Sequence, residues 1–107
     1  MDIKKNVINQ GVYCTINVHG SGLTVGKSYT ACLYYSAKNS EYRATVTATA
    51  ATVNNVATCV FSFTPTQTKS LKTGNVIFEV YDTDTLKQMK YDDTFGTVRA
   101  TSLTLNN

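Results

Sequence analysis

Val53-Asn54-Asn55-Val56-Ala57-Thr58-Cys59-Val60-Phe61-Ser62-Phe63-Thr64-Pro65 is the stretch that decides the fold. Asn54 and Asn55 tolerate positive φ at low cost, so they read as the turn of a β-hairpin. Val56 to Phe63 is the returning strand. Its alternation puts Ala57, Cys59, Phe61 and Phe63 on one face, the period of two that a sheet lying on a core requires. Fully buried, the two phenylalanines would contribute roughly 3–6 kcal/mol of transfer energy. Pro65 is the only proline in the chain. It cannot donate to a sheet ladder but fits the first turn of a helix. Thr64 to Leu71 therefore reads as a crossover with one helical turn, Thr64 capping it and Pro65 at its first position.

Outward from this hairpin the same period recurs. Upstream, Tyr42 to Thr52 is a strand of Ala-Thr alternation. Lys27 to Ser36 precedes it, with bulk on both faces (Tyr29, Ala31, Leu33 and Tyr35 against Thr30, Cys32 and Tyr34), which suits a central strand or one whose second face meets a partner. Val12 to Val18 sets Val12, Cys14, Ile16 and Val18 on one side. Downstream, Asn75 to Asp82 is a strand, Leu86 to Tyr91 a short one, and Thr94 to Leu105 closes the sheet after a turn at Asp92-Asp93. Met1 to Gln10 reads as a polar arm with Ile3, Val7 and Ile8 as anchors, leaving residues 11–107 as the domain. About seven short antiparallel strands with turn signals every 8–12 residues make an all-β chain, an immunoglobulin-like β-sandwich.

Composition agrees. The chain has 107 residues, 42% of them hydrophobic and 16% charged, enough for one core and too little charge for a disordered tail. Thr, Val, Tyr and Phe suit a pleated surface, while helix formers are sparse. No run approaches a membrane span. A net charge of +3 is too small for a protein that coats nucleic acid. With no tryptophan, the Trp-and-disulfide core of antibody domains is excluded. The three cysteines are odd in number, fit no zinc spacing and read as free thiols kept in a reducing compartment. Met1 to Gln10 lacks the apolar run of a signal peptide.

Motifs that would carry chemistry fail on spacing. Gly26-Lys27-Ser28 resembles a phosphate loop, but the glycine needed five residues earlier is Ser21, and a strand follows where a helix should stand. His19 is the sole histidine, which excludes a His-based zinc cluster. It could still form a nucleophile dyad with Cys14, Cys32 or Cys59, given a contact near 3 Å. Asp82 and Asp84 open like a calcium loop, yet Leu86 occupies the third acidic position. No metal, cofactor or small-molecule substrate is expected. The tyrosines Tyr13, Tyr34, Tyr42 and Tyr81 could form an exposed face, better suited to a protein interface than to nucleic acid. Lys4-Lys5, Lys69/Lys72 and Lys87/Lys90 are solvated loop charges or contacts to an acidic protein surface.

Phe61-Ser62-Phe63-Thr64-Pro65, then Leu71-Lys72-Thr73-Gly74-Asn75-Val76-Ile77-Phe78-Glu79-Val80-Tyr81-Asp82, then Phe95-Gly96-Thr97-Val98, resemble small immunoglobulin-like modules of tailed-bacteriophage virions. The likeness covers about 35 of the 107 residues and includes no catalytic residue. It implies a non-enzymatic auxiliary or decoration protein on the capsid surface, made in the host cytoplasm, with crass-like phages the more specific likeness. The partners implied are the major capsid protein or other virion proteins, with homo-oligomer contacts on the lattice. Ile3, Lys4, Lys5, Val7, Ile8, Tyr13 and Tyr34 are the residues expected at that contact. Deleting residues 1–10 is then expected to leave the fold intact and weaken particle binding. The alternative is a tail, head-fibre or baseplate module that contacts host glycans or other virion proteins, with Tyr34, Tyr35 and Tyr42 beside Asn39 and Glu41 as the sugar platform.

Overall fold

The computed structural model describes residues 6–20, 22–35 and 42–102. In chain order the elements are β1 (Asn6–Asn9), β2 (Cys14–His19), β3 (Ser28–Tyr35), β4 (Arg43–Thr49), β5 (Ala51–Val53), β6 (Val56–Phe63), α1 (Pro65–Lys69), β7 (Gly74–Asp82) and β8 (Gln88–Arg99). They form two sheets, β1-β8-β7-β3-β4 and β2-β6-β5. The described residues are all-β apart from one helical turn.

The deciding stretch folds as its residues dictate. Asn54 and Asn55 adopt φ of 51° and 66°, and Val53 pairs with Val56 across them. Cys59, Phe61 and Phe63 are fully buried. Phe61 meets Phe78 of the opposite sheet edge-on at 6.4 Å between ring centroids, and Phe78 lies against Phe95 at 4.9 Å. This aromatic line joins the two sheets. Thr64 caps α1 with Pro65 behind it, and Gln67 completes a reciprocal capping box. Gln67 also donates from Nε2 to the Thr45 carbonyl at 2.8 Å, so the crossover covers the outer edge of β4. Thr68 is buried, and its hydroxyl ties the β1–β2 turn to the crossover: it accepts from Gly11 N at 3.1 Å and donates to Val12 O at 2.9 Å.

Beyond shifts of one or two residues at strand ends, three features differ from the sequence reading. The strand expected over Tyr42 to Thr52 divides at Ala50. There the backbone accepts from Gly26 N and donates to Lys27 O, both at 2.9 Å, and the chain steps from one sheet into the other. The small Ala-Thr side chains carry no signal for such a crossing. The last two expected strands are one, β8. Asp92 does not start a turn; its Oδ1 accepts from the Thr94 N–H at 3.0 Å, at a register shift between β7 and β8. A carboxylate beside its own backbone serves a bulge as well as a turn.

The third difference concerns the arm. Asn6–Asn9 is a strand of the five-stranded sheet, and it pairs with β8 in parallel, whereas every other pairing among the described residues is antiparallel. Ile8 is 1% exposed, packed in the domain's own core, so it cannot serve as an anchor in a partner's groove. Gly96 permits this docking: a Cβ there would lie 2.0 Å from the Asn6 carbonyl oxygen. Removing residues 1–10 therefore removes a strand and a core side chain, contrary to the expectation that the fold survives intact.

Candidate interaction face

β7 sends alternate side chains to opposite sides. Phe78 and Val80 enter the core, and Ile77, Glu79 and Tyr81 take the outer face of the five-stranded sheet. Register brings Tyr34 opposite Ile77, Cys32 opposite Glu79 and Thr30 opposite Tyr81. From the other flank, β8 places Tyr91 opposite Glu79 and Gln88 opposite Tyr81. Tyrosines from β3, β7 and β8 thus surround one carboxylate.

Glu79 is only 8% exposed although it points away from the core. Its carboxylate accepts from the Tyr34 hydroxyl, from the Tyr81 hydroxyl at 2.6 Å, and from Gln88 Nε2. A buried carboxylate needs such donors, and charge-assisted bonds are the strong kind. Burial, then the bond to Glu79, push the Tyr34 phenol well above its ordinary value. For Tyr81 the Glu79 bond leads and burial follows, with Gln88 opposing. The network holds Tyr34 and Tyr81 in place before any partner arrives. Tyr91, 52% exposed, stands at its margin.

Those of the residues expected at a contact that are described do not assemble into one patch. Ile3, Lys4 and Lys5 lie outside the described residues, as do Asn39 and Glu41. Val7 is half-exposed on β1, about three strand spacings (~14 Å) from Tyr34 on β3. Tyr13 is 70% exposed in the turn between β1 and β2. Only Tyr34 belongs to the Glu79 cluster, with Tyr81 from the wider tyrosine set. Tyr42 instead meets Tyr35 edge-on at 6.3 Å, with Lys72 Nζ 5.2 Å from its ring centroid. Glu79, Gln88 and Tyr91 are the members that the sequence reading does not single out. The available signal is Glu79-Val80-Tyr81, a charged residue two places from a tyrosine in an otherwise apolar strand.

The candidate chemistry disperses. His19 Nδ1 lies 3.1 Å from Thr58 Oγ1. Cys14 and Cys59 point inward with the core, on the face of the sheet opposite His19, and Cys32 is in the other sheet. Burial raises all three thiols, which lowers the thiolate fraction a nucleophile needs. Asp82 is bound within the fold. Its Oδ1 accepts from the Asp84 and Thr85 N–H groups, and its Oδ2 pairs with Lys27 Nζ at 2.7 Å. The Lys27 bond leads in holding the Asp82 carboxyl below its usual range. Among the described residues no group of three or more His, Cys, Asp and Glu is placed to hold a metal ion. A cleft of about 230 Å³ opens between Val18, His19, Leu23, Val80, Met89 and Lys90.

No family model, curated protein or solved structure matches this chain.

Proposed function

We propose that this chain is a non-catalytic, immunoglobulin-like β-sandwich that attaches to a larger assembly through the outer face of its five-stranded sheet. The observation that carries this reading is the tyrosine cluster ordered around Glu79. Tyrosine offers a large amphipathic surface, and side chains already fixed lose little freedom on binding. Two features support the immunoglobulin-like assignment. One is the sheet order, in which a short first strand runs parallel to the last strand while β2 joins the opposite sheet. The other is a capped helical turn at the crossover between β6 and β7.

The setting on the capsid shell of a tailed phage, with the major capsid protein or another virion protein as partner, rests on the sequence resemblance. Replacing Tyr91 with alanine should leave the melting temperature unchanged and lower occupancy on particles by ~10-fold or more, as loss of an interface anchor does. Unchanged occupancy would remove the face from the reading, and absence of the chain from purified particles would remove the virion. A copy number matching the shell subunits supports a capsid role. The alternative, a tail or fibre module binding glycans, is favoured by the Tyr35–Tyr42–Lys72 cluster. Its sign would be glycan-array binding abolished by Tyr42→Ala.

A further inference from the structure

The edges of the two sheets are treated unequally. The outer edge of β4 is covered where Gln67 donates to the Thr45 carbonyl. β5 is only three residues long, and β1 four. β2 is a six-residue edge strand, Cys14-Thr15-Ile16-Asn17-Val18-His19, with no lysine, arginine, acid, proline or bulge in it. Those are the devices that normally block strand addition.

The register tells which backbone groups are open. Gly20 N donates to Ala57 O at 3.0 Å, continuing the pairing in which Val18 faces Cys59 and Ile16 faces Phe61. Bonded positions alternate along an antiparallel pair. Cys14, Ile16 and Val18 therefore bond to β6, and the N–H and C=O groups of Thr15, Asn17 and His19 point away from the sheet. No turn or loop backbone hydrogen bond among the described residues reaches them. The inward side chains at this edge, Cys14, Ile16 and Val18, are only partly buried, and the 230 Å³ cleft opens beside Val18 with Leu23 and Met89 in its wall.

We infer that β2 is a self-pairing edge, and that its occupant is β2 of a second copy running antiparallel across a two-fold axis at Asn17. The open groups sit symmetrically about Asn17. Only this register uses all of them, pairing Thr15 with the partner's His19, Asn17 with the partner's Asn17, and His19 with the partner's Thr15. The strand is uncharged when His19 is neutral, so it meets its own copy without like-charge repulsion. On the core side, Ile16 of the partner subunit comes to lie beside Val18, over the mouth of the cleft. The two three-stranded sheets become one continuous sheet. The tyrosine face belongs to the other sheet and stays free, so this inference is independent of the virion reading.

Sedimentation of the full chain across a concentration series tests it. The expected result is a monomer–dimer equilibrium, with hydrogen exchange at the Thr15, Asn17 and His19 amides slowing as the dimer fills while Ile16 and Val18 do not change. Asn17→Lys and Asn17→Glu should each raise the dimer dissociation constant by at least ~10-fold, because a charge would face its own copy. An equimolar mixture of the two should restore dimerisation. Asn17→Pro removes an outward N–H and no internal bond, and should also give a monomer; an unchanged melting temperature checks that each variant folds. A chain that is monomeric at every concentration, a dimer indifferent to the charge variants, or a mixture that fails to recover overturns the proposal. So does a monomer whose β2 amides become protected only on addition of a different extended peptide.

Discussion

In the middle of β7, Phe78 and Val80 on one face and Glu79 on the other are all buried, but by different means. Phe78 and Val80, on the inner face, are excluded from water by close packing against Phe61, Phe95 and their neighbours. Glu79, on the outer face, is 8% exposed because tyrosines hydrogen-bond to it. Packing of the first kind leaves a cavity when it is cut. Bonding of the second kind leaves orphaned hydroxyls that water can reach. The inner face therefore holds the fold, and the outer face can be altered, or covered by a partner, with the fold still standing.

Truncating the inner face should have the largest effect. Phe78→Ala should lower stability by about 3–5 kcal/mol in urea denaturation, since it removes the ring that touches both Phe61 and Phe95. A loss below ~1 kcal/mol would mean that the aromatic line does not join the sheets. Glu79→Ala on the outer face should cost less, about 1–3 kcal/mol, by leaving the Tyr34 and Tyr81 hydroxyls without their acceptor. If it costs as much as Phe78→Ala, the distinction between the two faces is lost.

The smallest effect is one of pH. Tyr34 and Tyr81 both titrate above the ordinary tyrosine value in the folded chain. Their contribution to stability is thus complete below pH ~10 and is lost as pH rises through the folded values. Lys27, raised by its bond to Asp82, adds a slope of the same sign. The measurement is therefore a comparison: urea midpoints of Tyr34→Phe/Tyr81→Phe should fall less steeply above pH ~10 than those of the parent chain. Identical slopes would detach the two phenols from the network.

Local sequence chemistry carries a good part of this architecture. The φ values at Asn54 and Asn55, the Thr64–Pro65 cap and the buried row Cys59-Phe61-Phe63 follow from residue type and a period of two. Ala50 and Asp92 are different. Each sits in a pattern that fits two geometries, and partners distant in sequence choose between them: Gly26 and Lys27 for Ala50, and the register of β7 for Asp92. The placement of Asn6–Asn9 is likewise settled by Gly96, ninety positions away from Asn6. The interaction face is half legible. Tyr34 and Tyr81 stand out as tyrosines on strands, while Gln88 and Tyr91 join them only through a pairing with β7 that contains a bulge.

Ala50 is the one residue between β4 and β5, and hence between the two layers. A joint that short has no slack. Tension applied to either layer along this segment reaches the other within a single peptide unit, so the layers should yield together under load.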